Sequence, residues 1–319
     1  MSKKLKILAL FLLFAVLISG CTQTIIKEDA VREPLPGIDP SAGVGRDVSV
    51  TLYFRLTEEP ALVPVQRIVT VRANEYIEAA VIRQLLAGPA ALYGDLEPVV
   101  PKGTRLVEVA REGGILYVTL SNEMLSYTGK SSLHEEIELA HRLSVYAIVN
   151  TLCTLGGPSR VQLLIDMDGK GAGARVPPFA LGFTSAHTSS KWLEPMSENA
   201  SVIITPNMLI ELALGHLAEG EYAQAYSLFA ESEIGGFQKP DFAAFETQLL
   251  SIGTIDAFAV RNSEINSERI ASEAYIDITW TGRKDGQEHK AVNAAIQLLQ
   301  EGELYKLGYY SLLNVLSAG

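Results

Sequence analysis

From Val48 onward the chain alternates apolar and polar positions. Val48, Val50, Leu52 and Phe54 fall between Ser49, Thr51, Tyr53 and Arg55, a period of two that predicts a half-buried strand. Pro60 and Pro64 punctuate the next stretch, and Arg67–Arg72 predicts a second strand. Asn74 is placed to cap a helix carrying Glu75 and Glu78 in its first turn, where carboxylates favour the helix dipole. Ile77, Val81 and Leu85 give that helix its apolar face, and Gly88-Pro89 stops it. Pro101-Lys102-Gly103-Thr104 predicts a turn with Gly103 at the position that needs positive φ. Leu106–Ala110 and Ile115–Ser121 then predict a hairpin over Arg111-Glu112-Gly113-Gly114. A helix over Ser132–Leu155 carries a stripe through Leu133, Ile137, Ala140, Ser144, Ile148, Thr151 and Leu155. Gly156-Gly157-Pro158 ends it, and Arg160–Met167 predicts a last strand. The order β-β-α-β-β-α-β predicts a small sandwich with helices against one face of a sheet.

The pattern loosens after Gly169. Glycines 169, 171, 173 and 182, prolines 177, 178 and 195 and the Thr184–Ser190 cluster exclude long regular elements, which predicts a linker over 171–200. Such a stretch ordinarily leaves few contacts across a domain boundary, so two separable domains with their own cores are expected. Phe179, Phe183, Trp192 and Leu193 argue the other way, since apolar islands tend to dock on a surface. Thr205-Pro206 opens a helix as N-cap and first helical residue, with Leu209, Leu212, Ala213, His216 and Leu217 on its inner face. Glu219-Gly220 breaks it, Tyr222–Phe229 predicts a second helix, and Asp241 caps a third. Strands follow, with Ala274, Ile276, Ile278 and Trp280 on one face, then Val292–Leu298, then Leu304–Leu312. The fold class is α+β.

The first 21 residues have another character. Lys3, Lys4 and Lys6 precede an uncharged apolar run, Ile7–Ile18, and then Ser19-Gly20-Cys21. That is a secretory signal peptide over 1–20, too short for an ordinary spanning helix of about 20 residues. Its ending resembles a bacterial lipobox, which implies cleavage before Cys21 and a diacylglyceryl thioether on that cysteine. The chain would then sit on the outer face of the cytoplasmic membrane, held by the lipid on Cys21. Residues 21–46 predict a flexible tether, because Ile25-Ile26 is its only apolar pair among charges, prolines and glycines.

Composition is ordinary for soluble domains, 48% hydrophobic and 20% charged, but the net charge is −11. Removing three lysines with residues 1–20 takes it to about −14, which repels nucleic acid and argues against such a partner. Of the two cysteines, Cys153 stands alone once Cys21 is acylated, so no disulfide within the chain is expected.

Several phrases of the first half, in order, are similar to the GerMN domain over residues 47–170. They are Val50-Thr51-Leu52-Tyr53-Phe54, Leu62-Val63-Pro64, Ala80–Pro89, Pro101-Lys102-Gly103-Thr104, Val118–Ser121, Ala147–Leu152 and Val161–Ile165. The family is named for a lipoprotein of spore formers needed in sporulation and germination. Its fold resembles the ring-building folds of the channel between mother cell and forespore. Other members are lipoproteins of bacteria that do not sporulate, and the resemblance implies no enzyme. Sporulation lipoproteins of the family often carry two such domains in tandem; this sequence has one. Residues 201–319, helices first and an antiparallel sheet last, with Ala218–Tyr226 as a helix pair, resemble the nuclear-transport-factor-like (cystatin-like cone) superfamily. That fold is often a noncatalytic binding or dimerising module.

Candidate chemistry is sparse. His134, Glu138 and His141 share a helical face at spacings of four and three, as metal ligands can, but nothing supplies a second ligand cluster. Asp166, Asp168 and Gly169 lack the ligand spacing of a calcium loop. Asn150, inside an apolar helix, is expected to satisfy backbone, and Cys153 to act as a small buried hydrophobe. Trp280, Tyr226, Phe258 and Tyr309 would line any pocket in the C-terminal cone. No catalytic residue, metal ligand or cofactor is assigned; the one assigned site is the lipidation site Cys21. The expectation is a noncatalytic lipoprotein that assembles an envelope protein complex in sporulation or germination, with homo-oligomerisation left open. The alternative is a ligand-binding or sensory lipoprotein using the cone.

Overall fold

The alternating segment at Val48 forms β1 (Arg46–Leu56) in the computed structural model, which describes residues 45–318 apart from 128, 130, 185–186 and 266–270. Cys21, the signal peptide and nearly all of the tether lie outside the described residues. Val50, Leu52 and Phe54 are buried as the period requires, but so are Tyr53, Arg55 and Leu56, because the end of β1 is covered on both faces. β1 pairs antiparallel with β2 (Leu62–Val71), Leu52 opposite Val65, and with the short β3 (Leu96–Glu97).

The first helix, α1, spans Ile77–Leu86, and Asn74 does not cap it. Tyr76 holds the cap position without a side-chain bond; the Glu75 carboxylate instead accepts from the Arg72 amide at 3.2 Å and pairs with Arg83. The hairpin forms as expected, β4 (Leu106–Glu112) to β5 (Ile115–Ser121), with Gly113 and Gly114 both at positive φ in the turn. The long helix, α2, runs His134–Cys153. It connects β5 to β6 (Arg160–Asp166), which pair in parallel and therefore need such a crossover.

The single sheet expected from the element order is two sheets. One has the order β2-β1-β3, the other β4-β5-β6 with a two-residue strand, β7 (Gly173–Ala174), at its edge. Helix α2 packs against β1 of one and β6 of the other. Its second half is accordingly buried nearly all round, from Leu143 through Leu152 except Tyr146, rather than along one stripe.

Residues 171–200 contain little regular structure, yet they lie against the first half. Val176, Leu181, Phe183 and Leu193 are buried, while Phe179 and Trp192 are exposed. Met196 and Val161 exchange backbone hydrogen bonds in both directions at 2.8 Å, and the buried Gln162 amide donates to the Leu193 carbonyl at 3.0 Å. At Gly182 the backbone is left-handed (φ 76) and presses on the Glu138 carbonyl of α2, where a Cβ would collide. Glycine and proline prevent repeating structure here but leave backbone groups free for these single bonds.

In the C-terminal half, Thr205 caps α3 (Pro206–Glu219), its hydroxyl accepting from the Met208 amide at 3.2 Å, and Gly220 closes the helix at φ 77. Helices α4 (Tyr222–Ser227) and α5 (Phe242–Ile252) follow, the latter capped by Asp241. The antiparallel sheet has the order β11-β10-β9-β8. Its strands are β8 (Gly253–Glu264), β9 (Ala271–Gly282), β10 (Glu288–Glu301) and β11 (Leu304–Leu307). The closing strand is shorter than expected. After Gly308 the chain turns into α6 (Tyr309–Ser317), whose Tyr309, Leu312 and Leu316 are buried at spacings of three and four. The fold is α+β, helices then an antiparallel sheet in this half, and the described residues form a single compact unit.

Candidate functional site

The two halves meet through backbone, amide and charge. The Ile204 amide donates to the Leu62 carbonyl at 2.8 Å, extending the edge of β2 by a short parallel bridge. Asn150, fully buried in α2, donates to the Asn199 carbonyl at 3.0 Å and accepts from the Asn199 amide at 2.8 Å. Its amide thus satisfies backbone, as its apolar setting in the sequence implied.

The charged contacts centre on the turn after β1. Glu58 sits there at φ 63, and the Glu59 side chain is buried. His216, in the last turn of α3, places Nε2 2.8 Å from Glu59 Oε1 and Nδ1 2.7 Å from Glu221 Oε2. From the other side Arg55 braces the same turn: its Nε donates to the Glu59 carbonyl at 2.8 Å, and its guanidinium pairs with Glu136 at 2.7 Å and Glu97 at 3.3 Å. The hydrogen bond to Glu59, reinforced by Glu221, outweighs burial and pushes the His216 pKa up to about 9. At neutral pH the ring is an imidazolium that donates from both nitrogens. A second ion pair joins the halves farther along: the buried Lys306 ammonium of β11 bonds to Asp95 at 2.7 Å and to the Ser227 carbonyl at 3.0 Å. Glu59 and His216 are 157 positions apart in the sequence, Asp95 and Lys306 211, so no local pattern reveals either pair.

The remaining candidates fall elsewhere. The exposed His134 pairs with the half-buried Glu138 at 3.1 Å, while His141 turns into the protein and burial lowers its pKa. Among the described residues no group of three or more His, Cys, Asp or Glu is arranged to hold a metal ion. Asp166 accepts from the Lys170 and Gly171 amides, closing a turn. Cys153 is half-buried, and burial raises its thiol pKa.

The interior of the C-terminal half is packed with aromatic rings. Phe245 lies 5.1 Å from both Tyr226 and Tyr309 and 5.2 Å from Phe229, with edge-to-face or tilted geometry. Trp280 and Tyr309 are core residues, and burial takes the Tyr309 hydroxyl to about 12. The space left among Leu217, Leu249, Ile255, Trp280 and Leu316 is about 10 Å³, room for at most one water. An open cleft of about 530 Å³ lies outside this core, walled by Gln248, Ser251, Lys284, Asp285, His289 and Tyr310. The His289 ring stacks on Trp280 (5.5 Å, 19°) with Nε2 3.1 Å from Asp285, whose carboxyl is held low by the Gln287 amide.

Residues 51–170, from β1 past β6, match the Germane family, described as sporulation and spore germination. Over this stretch the chain is similar to the Germane (GerMN) family. The family is not a known enzyme family. The chain is similar to several solved structures, among them two bacterial proteins. A crystal structure of a candidate lipoprotein from Clostridium perfringens is 23% identical, covers 38% of this chain and 75% of its own, and has a TM-score of 0.24. The tandem GerMN domains of the sporulation protein GerM from Bacillus subtilis are 16% identical over 53% of this chain, with a TM-score of 0.32. The chain spans about half of that second protein, 51%. No curated protein matches. Among the described residues no helix is long and apolar enough to cross a membrane.

Proposed function

We propose that this chain is a noncatalytic, lipid-anchored extracytoplasmic protein that assembles an envelope protein complex in sporulation or germination. The Germane domain over residues 51–170 is the observation that carries this reading. The buried contacts at Glu59, Asn150 and Lys306 support it, because they fix the C-terminal half on that domain and let both act as one presenting surface. Cys21 carries the lipid and holds the protein at the outer face of the cytoplasmic membrane. A fatty-acid analogue should label the wild-type chain and leave Cys21→Ala unlabelled; equal labelling would remove the anchor. Deletion in a spore former should lower sporulation or germination, and wild-type levels of both would remove the narrower role.

A ligand-binding role for the C-terminal half is the second reading. The cleft of about 530 Å³ favours it, being within the roughly 300–1,000 Å³ of small-molecule sites. Native mass spectrometry of protein purified from its own host would show a co-purifying small molecule, absent after Trp280→Ala. A bare chain in every preparation would end this reading.

A further inference from the structure

The polar groups that wall the open cleft of the C-terminal half divide into those already bonded and those left to offer a bond. Asp285 is engaged: its carboxylate accepts from the Gln287 amide and from His289 Nε2, each at 3.1 Å. The side-chain oxygen of Gln248 accepts from the Tyr309 hydroxyl, which leaves the N–H donors of that side chain without a partner among the described residues. The Lys284 ammonium, in the turn between β9 and β10, has no partner among them either. Ser251 donates its proton to the Gln248 backbone carbonyl at 2.7 Å and Tyr310 to the Gln238 carbonyl at 3.1 Å, so both oxygens keep lone pairs to accept with. Gln248, Ser251 and Lys284 are exposed and Tyr310 is half-buried, so all four are accessible from the cleft they line. The rest of the wall is apolar, Ile252 and Leu313 with the stacked rings of His289 and Trp280.

We propose that this cleft binds an uncharged saccharide, which rests on the ligand-binding reading of the C-terminal half and gives that ligand its chemical class. Donors from Lys284 and Gln248 and acceptors from Ser251 and Tyr310, around one space, select a ligand that can both accept and donate. A hydroxyl does both, whereas a carboxylate or phosphate only accepts and an ammonium only donates. Charge narrows the choice in the same direction. The lysine and the aspartate cancel, so the cleft offers an ion little to offset its loss of water, and the net charge of −11 opposes an anion further. A zwitterion would need a carboxylate to meet its ammonium, and Asp285 already holds two donors. The apolar wall complements the C–H faces of a sugar ring, whose hydroxyls project from the rim toward the polar groups. At about 530 Å³ and open to solvent, the cleft has room for a short oligosaccharide.

The test titrates the full chain, in a detergent without a sugar headgroup, with maltotriose, the N-acetylglucosamine trimer, acetate and glycine. The Trp280 indole resonance is followed by NMR and assigned by its loss in Trp280→Phe. At least one of the two saccharides should move it saturably, with an affinity that changes less than about twofold between about 50 and about 500 mM salt, because contacts to a neutral ligand are not screened as ion pairs are. Lys284→Met, at an exposed position, should weaken that binding about tenfold, and Ser251→Ala about threefold, the loss of one charge-assisted and one neutral hydrogen bond. Saccharide binding that ignores both variants, or that collapses with salt, would overturn the proposal. So would the absence of a saccharide response up to about 50 mM. Acetate or glycine binding in their place would leave the cleft a ligand site of another class. Silence from all four probes, with a bare chain in native mass spectrometry, would remove the ligand-binding reading as well.

Discussion

His216 is the group whose titration should dominate the alkaline side of the stability profile. Folded, its pKa is about 9; unfolded, it returns to the ordinary 6.5. Between those values the folded chain binds more protons than the unfolded one, so stability falls as pH rises. The contribution is complete below about pH 6.5 and gone once the pH has passed through 9. At 1.36 kcal/mol per tenfold, that interval corresponds to about 3 kcal/mol. The Glu221 side chain is 44% exposed and its share is screened by solvent, whereas Glu59 is 4% exposed and keeps most of its own, so about 2 kcal/mol should be visible. The perturbation is His216→Gln, which keeps one amide donor and removes the titration. At pH 6.5 the variant should lose about 3 kcal/mol, the lower end for breaking a buried pair from one side. At pH 9.5 it should lose about 1, because wild type has by then surrendered the difference. Urea unfolding, followed by far-UV circular dichroism and by tryptophan fluorescence, measures both. The raised thiol of Cys153 titrates identically in both proteins and cancels in the comparison. If the variant is equally destabilised at the two pH values, the imidazolium clamp is not what joins Glu59 to α3.

Three further outcomes follow from the packing. Asn150→Ala should cost about 2 kcal/mol in urea unfolding, since it removes two hydrogen bonds and leaves the half-buried amide and carbonyl of Asn199 unpaired; a loss under about 0.5 would mean water replaces both bonds. Gly182→Ala should destabilise by more than about 2 kcal/mol, from its left-handed backbone and the collision with the Glu138 carbonyl. Gly114→Ala, at φ 80 with open space around it, should cost only about 1, and equal losses at the two glycines would discredit the close approach. Limited proteolysis should spare residues 191–204, whose backbone is bonded to Val161, Gln162, Asn150 and Leu62, and a first cut there would show that the join opens readily.

Elements whose burial follows one local period were readable from the sequence. The alternating start of β1, the β4–β5 hairpin, the exposed-to-buried first half of α2 and, by capping residues alone, the Thr205 and Asp241 helix starts belong to this group. Asn150 was readable too, because an amide amid apolar helix positions has few fates. What the sequence concealed was pairing at a distance. A β-β-α-β-β-α-β order is compatible with one sheet or two, and the choice rests on β1 taking β3, not β5, as its second neighbour. β8 escaped because it is an edge strand with two register shifts against β9, which break its alternation. The start of α6 reads as strand because it continues directly from a true strand, Leu304–Leu307, and the break at Gly308 comes only four residues into the run. Lys306 left one signal, the one charged residue between Leu304 and Leu312, but its partner Asp95 lies on the other half of the chain.

Residues 171–200 are weak in regular structure, which points to a domain boundary, but regular structure is not what fixes one. A boundary is set by how much crosses it. Here Phe183 and Leu193 are buried, Gln162 and Asn150 hold the connecting backbone, and two charge pairs with one buried member each span the join. Charges taken out of water contribute little net stability, but breaking one from one side is expensive. Pairs of this kind therefore penalise every other relative placement of the halves more than they strengthen this one. A protein that carries a signal through ligand-driven domain motion would place water and weak contacts at such a join. One that offers a partner a fixed surface would place pairs such as Glu59–His216 and Asp95–Lys306 there, and the assembly role we propose requires such a seam.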